Sequence, residues 1–569
     1  MKAFFFLVSN LKRLRICRTI GVLTCCLSGS FGFGQTTPSQ SDVLYVTNGS
    51  ELSDAISNVL GGEIILLASG DYGVMTISNR NMSAEVTILA ALTAVPVFSK
   101  VDLTNSSGWR ISGLHVKPRF TSGADTNKAV RLVGSDIIFE HSVVNYAEDA
   151  SNWSANAWIN RTGNGIVSDG TRITIRKNQI QFVDHGITSD ATHSLIAQNT
   201  VDHFRGDAFR SLGDNVTFEY NTGKNAVAVD DNHDDFFQSW STGTGGVGTG
   251  EVVGVTVRGN TFISYEEENL PFKTIPQGIG LFDGFYREWI IENNVIITGH
   301  WHGISMYGAI DCRIVNNTVV DRNYDDEPAP WIQIVNHKNK TASENSVIRN
   351  NLAHAINRDA GVTSDHNLIA EDPTLHYVDP ASFDVHLLEA SPAVDAGSAD
   401  LAAVTDRDEI ERPQGDGIDM GAYERTEPFT DNDEDSLPDE WEMTRIKHLA
   451  EGPLDDGDED GFNNLFELAI GSDPSIADSA KMINAFVEQV GNYRMLNISY
   501  PRLRSINHLR IGIAFSEDMV TWIEDPGDGS LTDPIAMSLD NGDEIEWVRL
   551  RYRIPLSNID NIFVRITVQ

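Results

Sequence analysis

Between about Val43 and Glu424, apolar residues fall in short runs that alternate with polar ones and are punctuated by Asn and Gly. A period of two places successive side chains on opposite faces of a strand, whereas a helix would show a period near 3.6. Helical spacing is almost absent here. The runs also repeat. Asn-x-apolar recurs at Asn178, Asn199, Asn260, Asn294 and Asn317, with closest spacings of 21 and 23 residues. A second series reads Asn164-Gly-Ile-Val-Ser, His185-Gly-Ile-Thr-Ser, Asp207-Ala-Phe-Arg-Ser, Asp235-Phe-Phe-Gln-Ser, Gln277-Gly-Ile-Gly-Leu and His302-Gly-Ile-Ser-Met, and opens with steps of 21 and 22 residues. Several short strands in a period this short predict a solenoid. The class that fits is all-β, a right-handed parallel β-helix over residues 42–425 with one coil per repeat. The recurrent Asn predicts an amide ladder along one turn of the stack.

Aligning the second series assigns faces. Ile166, Ile187, Phe209, Phe237, Ile279 and Ile304 form an inward column, and Ser168, Ser189, Ser211 and Ser239 form another. Between them Val167, Thr188, Arg210, Gln238, Gly280 and Ser305 face outward. The next outward column carries Asp169, Asp190, Leu212, Trp240, Phe282 and Tyr307. One exposed face is therefore expected to hold an Arg–Gln pair beside aromatic rings on which sugars stack. The leading column, Asn164, His185, Asp207, Asp235, Gln277 and His302, adjoins the dense run Asp230-Asp-Asn-His233-Asp234-Asp235. Like charges this close need a cation or raised pKa values. Asp207, Asp234 and Asp235 are expected to share Ca²⁺, a hard cation suited to oxygen ligands.

The pattern changes after Glu424. Asp431, Asp433, Asp435, Asp439 and Glu442 occupy positions 1, 3, 5, 9 and 12 of a twelve-residue calcium loop, with Ser436 where Gly is usual. Asp456, Asp458, Asp460, Asn464 and Glu467 do the same in a second loop, with Gly461 at position 6. Residues 426–475 thus read as calcium-binding. From 483 to 569, alternating runs such as Glu546-Trp-Val-Arg-Leu-Arg-Tyr-Arg-Ile predict an accessory β domain of sandwich form.

Charge narrows the function classes. With 42 Lys+Arg against 81 Asp+Glu, the formal net charge is −39. Phosphate neutralisation needs a cationic surplus, so nucleic acid is a poor partner. Residues 1–34 combine a basic start with a short apolar stretch ending in small residues, which reads as a secretory signal. Beyond it only Cys312 remains, leaving no internal disulfide, and no stretch reaches the roughly 18 apolar residues of a membrane helix.

Leu44-Tyr-Val-Thr-Asn-Gly-Ser-Glu-Leu-Ser-Asp-Ala-Ile56 and Gly61-Gly-Glu-Ile-Ile-Leu-Leu-Ala-Ser-Gly-Asp-Tyr72 resemble the opening of secreted β-helix proteins of the pectin-lyase-like superfamily, which includes chondroitinase-B and alginate-lyase-type enzymes. Ser391-Pro-Ala-Val-Asp-Ala-Gly397 and Gly417-Ile-Asp-Met-Gly-Ala-Tyr-Glu424 are similar to their closing coils. Asp207-Ala-Phe and Asp234-Asp235-Phe-Phe-Gln238 are similar to the calcium-holding strands of family-9 pectate lyases, with Gln238 replacing a final Asp; the same resemblance implies Lys273 as the base. The two acidic loops resemble dockerin and thrombospondin type-3 calcium repeats.

These readings converge on a secreted enzyme acting on an acidic polysaccharide, with a lyase as the leading form. β-Elimination removes the proton at C5 of a uronate, which needs a neutralised carboxylate and a base. Arg210 and Gln238 are candidates to neutralise. Lys273, His233, His302 and Tyr307 are candidate bases, and Trp240, Phe282, Tyr307 and His302 are candidate substrate contacts. A C5-epimerase, a glycoside hydrolase using two of the three aspartates, and a non-catalytic adhesin remain open on the same fold.

Overall fold

The structure is a computed structural model. It describes residues 43–91, 94–118, 128–322, 329–426, 431–433 and 435–477, with parts of 483–568 and the strand Phe4–Ser9. The rest of the expected signal segment lies outside the described residues; Phe4–Ser9 pairs antiparallel with Asn561–Val568. The chain divides into two compact units. One holds the described parts of 46–90 and 95–427, the other those of 1–45, 91–94 and 428–569.

The first unit is the expected parallel β-helix. Each full coil contributes three strands, as in Asn164–Arg176 with Gln179–Val183, and each strand pairs in parallel with its counterpart one coil on. The inward column is continuous: Ile166 pairs with Ile187, then Phe209, Phe237, Ile279 and Ile304, all at most 1% exposed. Phe236 adds a second inward ring, stacked on Phe262 at 5.2 Å. One strand of each coil ends in a residue with positive φ, Lys177, Gln198, Tyr220, Asn293, Asn316 and Asn350 among them, and the next residue is always the ladder Asn. In each rung the backbone N–H and side-chain amide of one Asn donate to Oδ1 of the next. The ladder runs Asn178, Asn199, Asn221, Asn260, Asn294, Asn317, Asn351 and Asn367. Three members, Asn221, Asn351 and Asn367, were not in the sequence series.

The expected closing coils take another form. Residues 391–424 do not extend the stack; they run back along its side as a strap. Asn350 bonds Ser398, Asn316 bonds Asp419, and Asn293 bonds Thr405. Ala393 and Ala422 join Val295, Val320 and Leu352 in one apolar cluster. An Arg412–Glu424 ion pair with no solvent exposure pins the strap's end.

In the second unit two antiparallel four-stranded sheets share a core. Leu496, Ile498 and Tyr552 from one meet Ile513, Val564 and Ile566 from the other, a sandwich-like arrangement. Phe466 and Ile470, on the short helix Asn464–Ile470, are part of that core. Among the described residues no helix is long and apolar enough to cross a membrane.

Candidate active site

Two neighbouring columns on one wall of the β-helix build the site. The strand register sets Arg210 beside Gln238, then Gly280, then Ser305. Three residues earlier in each coil stand Asp207, Asp235, Gln277 and His302. Each earlier residue clips the later one of its own coil: Asp207 Oδ2 accepts from Arg210 Nε, Gln238 Nε2 donates to Asp235 Oδ2 at 2.9 Å, and His302 Nδ1 lies 2.8 Å from Ser305 Oγ. The third coil, Gln277 with Gly280, breaks the pattern because Gly280 has no side chain. A Cβ there would lie 2.6 Å from Asp235 Oδ1 and 2.7 Å from the Phe282 ring, so glycine makes room for both.

The carboxylates are not solvent-facing, contrary to expectation. Asp207, Asp234 and Asp235 are 1%, 8% and 0% exposed. Asp207 Oδ1 also accepts the backbone N–H of Asp235 at 3.1 Å. Two arginines pair with three of the five aspartates here, leaving Asp234 and Asp235: Arg210 holds Asp207, and the buried Arg205 bridges Asp184 and Asp230 at 2.9 and 2.8 Å. Burial, then repulsion from Asp207 and Asp230, pushes Asp234 up to about 8. Burial and the Asp207 charge also raise Asp235 well above the ordinary carboxylate range. The expected shared calcium at Asp207, Asp234 and Asp235 does not find a closed donor set: both Asp207 oxygens are engaged, and the three are not among the groups whose ligand atoms lie within 4.8 Å of one another, while Asp235 Oδ1 is buried without a hydrogen-bond partner among the described residues. Arg210 reaches back to a position where the sequence alone suggested a metal.

Lys273 stands four residues before the Gln277 strand, its backbone bridged to Val227. Its amine pairs with Glu268 and sits 4.4 Å from the Tyr265 ring centroid. His233 is exposed on the acidic loop and close enough to His300 for its charge to oppose protonation there. The aromatic column slips. The register shifts between Ser239 and Trp240, so Trp240 pairs with Asp283 instead of Phe282. Trp240 lies under the Arg210 guanidinium at 5.4 Å. Phe282 instead packs edge-on against His302 at 4.8 Å and Tyr307 at 5.4 Å.

Several residues of this wall escaped the sequence reading. His300 stacks on His302 at 5.4 Å, Trp301 is 41% exposed beside them, and Trp331 meets His302 edge-on at 5.2 Å. The run His300-Trp-His302 was a visible signal; Trp331, from the next coil, had none. Burial lowers both His300 and His302 to about 4, and a neighbouring imidazole adds to the effect in each. His185, whose Nδ1 accepts the Asp207 N–H at 2.8 Å, is lowered by burial and by Arg210 to about 3.

The acidic loops of the second unit do have the geometry of cation sites. Asp431, Asp433 and Asp439, then Asp433, Asp435 and Glu442, and separately Asp456, Asp458 and Asp460, bring ligand atoms within 4.8 Å of one another. Glu442 and Glu467 are fully buried, and among the described residues both oxygens of Glu442 lack a hydrogen-bond partner, as do Glu467 Oε2, Asn464 Oδ1 and Asp456 Oδ1. Buried acceptors without donors, facing other acids, are what a bound cation would satisfy. Position 6 has positive φ in both loops, 77° at Ser436 and 102° at Gly461.

No family model matches the chain, and no curated protein matches it. Solved structures do. A variant of an alginate lyase of polysaccharide lyase family 6 is 14% identical over 68% of this chain and 60% of its own, with a TM-score of 0.38. A family 6 polysaccharide lyase from Pseudopedobacter saltans is 13% identical over 63% and 100%, at 0.35. A pectate lyase is 16% identical over 68% and 96%, also at 0.35. The chain spans about 60% of the length of the first of these.

Proposed function

We propose that this chain is a secreted enzyme that cleaves a uronate-containing polysaccharide by β-elimination on this wall of the β-helix. The observation that carries the reading is the Arg210–Gln238 pair: adjacent coils hold a guanidinium and an amide in register, each oriented by its own aspartate, next to Trp240. An oriented cation and amide suit a substrate carboxylate, whose neutralisation makes the C5 proton removable. The exposed imidazole of His233 takes that proton. The C5–H electron pair becomes the C4=C5 double bond, the C4–O bond breaks, and the leaving oxygen gains a proton from water. Trp240, Phe282, Tyr307 and Trp331 offer rings to neighbouring sugars. Calcium belongs to this reading only in the acidic loops, where Asp431, Asp433, Asp435, Asp439 and Glu442, and Asp456, Asp458, Asp460, Asn464 and Glu467, would hold it as a structural ion.

Incubation with alginate, pectate, chondroitin and ulvan tests the reading. New double-bond absorbance, lost in His233→Ala, supports it. Hydrolysis is the second reading, favoured by the raised pKa of the buried Asp234, a carboxyl suited to protonate a leaving group. It predicts reducing ends without unsaturation. No product on the whole panel would overturn both.

A further inference from the structure

The hydrogen bonds around Ser305 fix the proton on His302. Trp331 Nε1 donates to Ser305 Oγ at 3.0 Å, and Gln333 Nε2 donates to it at 3.2 Å. A hydroxyl oxygen has two lone pairs and one proton. Both lone pairs are taken, so the Ser305 proton points to the remaining neighbour, His302 Nδ1, at 2.8 Å. Nδ1 is then an acceptor, and the neutral ring carries its hydrogen on Nε2. His300 arrives at the same tautomer by another route, because its Nδ1 accepts the backbone N–H of His302 at 3.1 Å. Protonating either Nδ1 would set N–H against a donor already in place. Among the described residues neither Nε2 has a protein hydrogen-bond partner, and neither is among the buried unpartnered atoms. The rings are stacked, 26° from parallel.

We propose that His300 and His302 are uncharged hydrogen-bond donors that offer their two Nε2–H groups to a uronate carboxylate, and that neither accepts the substrate proton. The ligand half rests on the function proposed above; the tautomer half does not. A pair that only donates selects a group that only accepts. A carboxylate does so, whereas a sugar hydroxyl must also place its own proton. This inverts the role that sequence alone allowed His302, as a base, and extends the carboxylate-binding wall from Arg210 and Gln238 by two coils.

Two measurements test the proposal. Imidazole ¹⁵N spectra of the ligand-free full chain, assigned with His300→Gln and His302→Gln, should show pyridine-type Nδ1 and pyrrole-type Nε2 in both rings. The opposite pattern would overturn it, whatever the enzyme does. Calorimetric titration then compares an acidic uronate oligosaccharide with its carboxyl-reduced, neutral counterpart. His302→Ala should lose about tenfold or more in affinity for the acidic ligand and little for the neutral one. His302→Gln, whose amide N–H lies where Nε2–H was, should keep affinity and turnover within about threefold. If Gln were as inactive as Ala while both bound normally, His302 would be the base and the proposal wrong. If wild type bound both oligosaccharides equally, the carboxylate assignment would fall. If wild type bound neither, with the expected tautomers, the function proposed above would fail and take only the ligand half with it.

Discussion

Replacing Asn260 by Ala should damage the β-helix at its centre, by an amount the ladder makes countable. The side-chain amide donates to Phe218 O at 3.0 Å and to Asn294 Oδ1 at 2.9 Å, and its oxygen accepts the N–H and amide of Asn221 at 2.9 and 3.0 Å. Asn294 Oδ1 keeps the backbone N–H of residue 260 at 3.0 Å, so it stays satisfied. One buried backbone group does not: the Asn221 N–H, whereas the Phe218 carbonyl keeps its place in the ladder to the Arg258 strand. At roughly 1–3 kcal/mol for an orphaned group, the loss is about 1–3 kcal/mol before any cavity is counted. Asn367 ends the ladder and is only half-buried, so Asn367→Ala should cost clearly less. Urea unfolding followed by circular dichroism would read both variants as shifts in midpoint at constant slope. An Asn260→Ala midpoint within about 0.5 kcal/mol of wild type would refute the reasoning, since it would mean water or a backbone shift resatisfies the turn.

Four further outcomes are expected. Gly280→Ala should displace the Asp235 carboxylate and the Phe282 ring, cutting turnover far more than melting temperature; an unchanged rate would show that neither position matters. Arg210→Ala should lose activity and about 3 kcal/mol of stability, because Asp207 would be left buried without its cation, whereas Arg210→Lys should recover more stability than activity. Chelation should expose residues 431–475 to protease and leave the coils resistant; equal cleavage with and without EDTA would remove calcium from the loops. His386, bonded to Asp408 and then Asp384, is raised to about 9, so its contribution is complete below its unfolded value near 6.5 and is lost as pH climbs toward 9. His386→Gln should flatten thermal stability between those limits, and an unaltered pH profile would count against the ion pairs.

Much of the fold was legible because a stacked coil repeats its local rules. Alternation gave the inward column from Ile166 to Ile304, the period gave the Asn turn, and the spacing of acids gave the two loops whose carboxylate oxygens lie within 4.8 Å of one another. Each of these depends on residues near in sequence or one repeat apart. The site resisted for the opposite reason. Sequence determined which residues share the wall, yet it did not say which of them are spent on one another. Arg210 turns back to Asp207, and Lys273 pairs with Glu268; neither pairing follows from strand register. A one-residue slip at Trp240 redirected the aromatic column, and a strap folded back along the coils instead of closing them. What only the tertiary structure decided was therefore partnership: a buried charge or imidazole takes its state from the few groups within hydrogen-bonding reach, and long loops and side chains choose those groups after the strands are set.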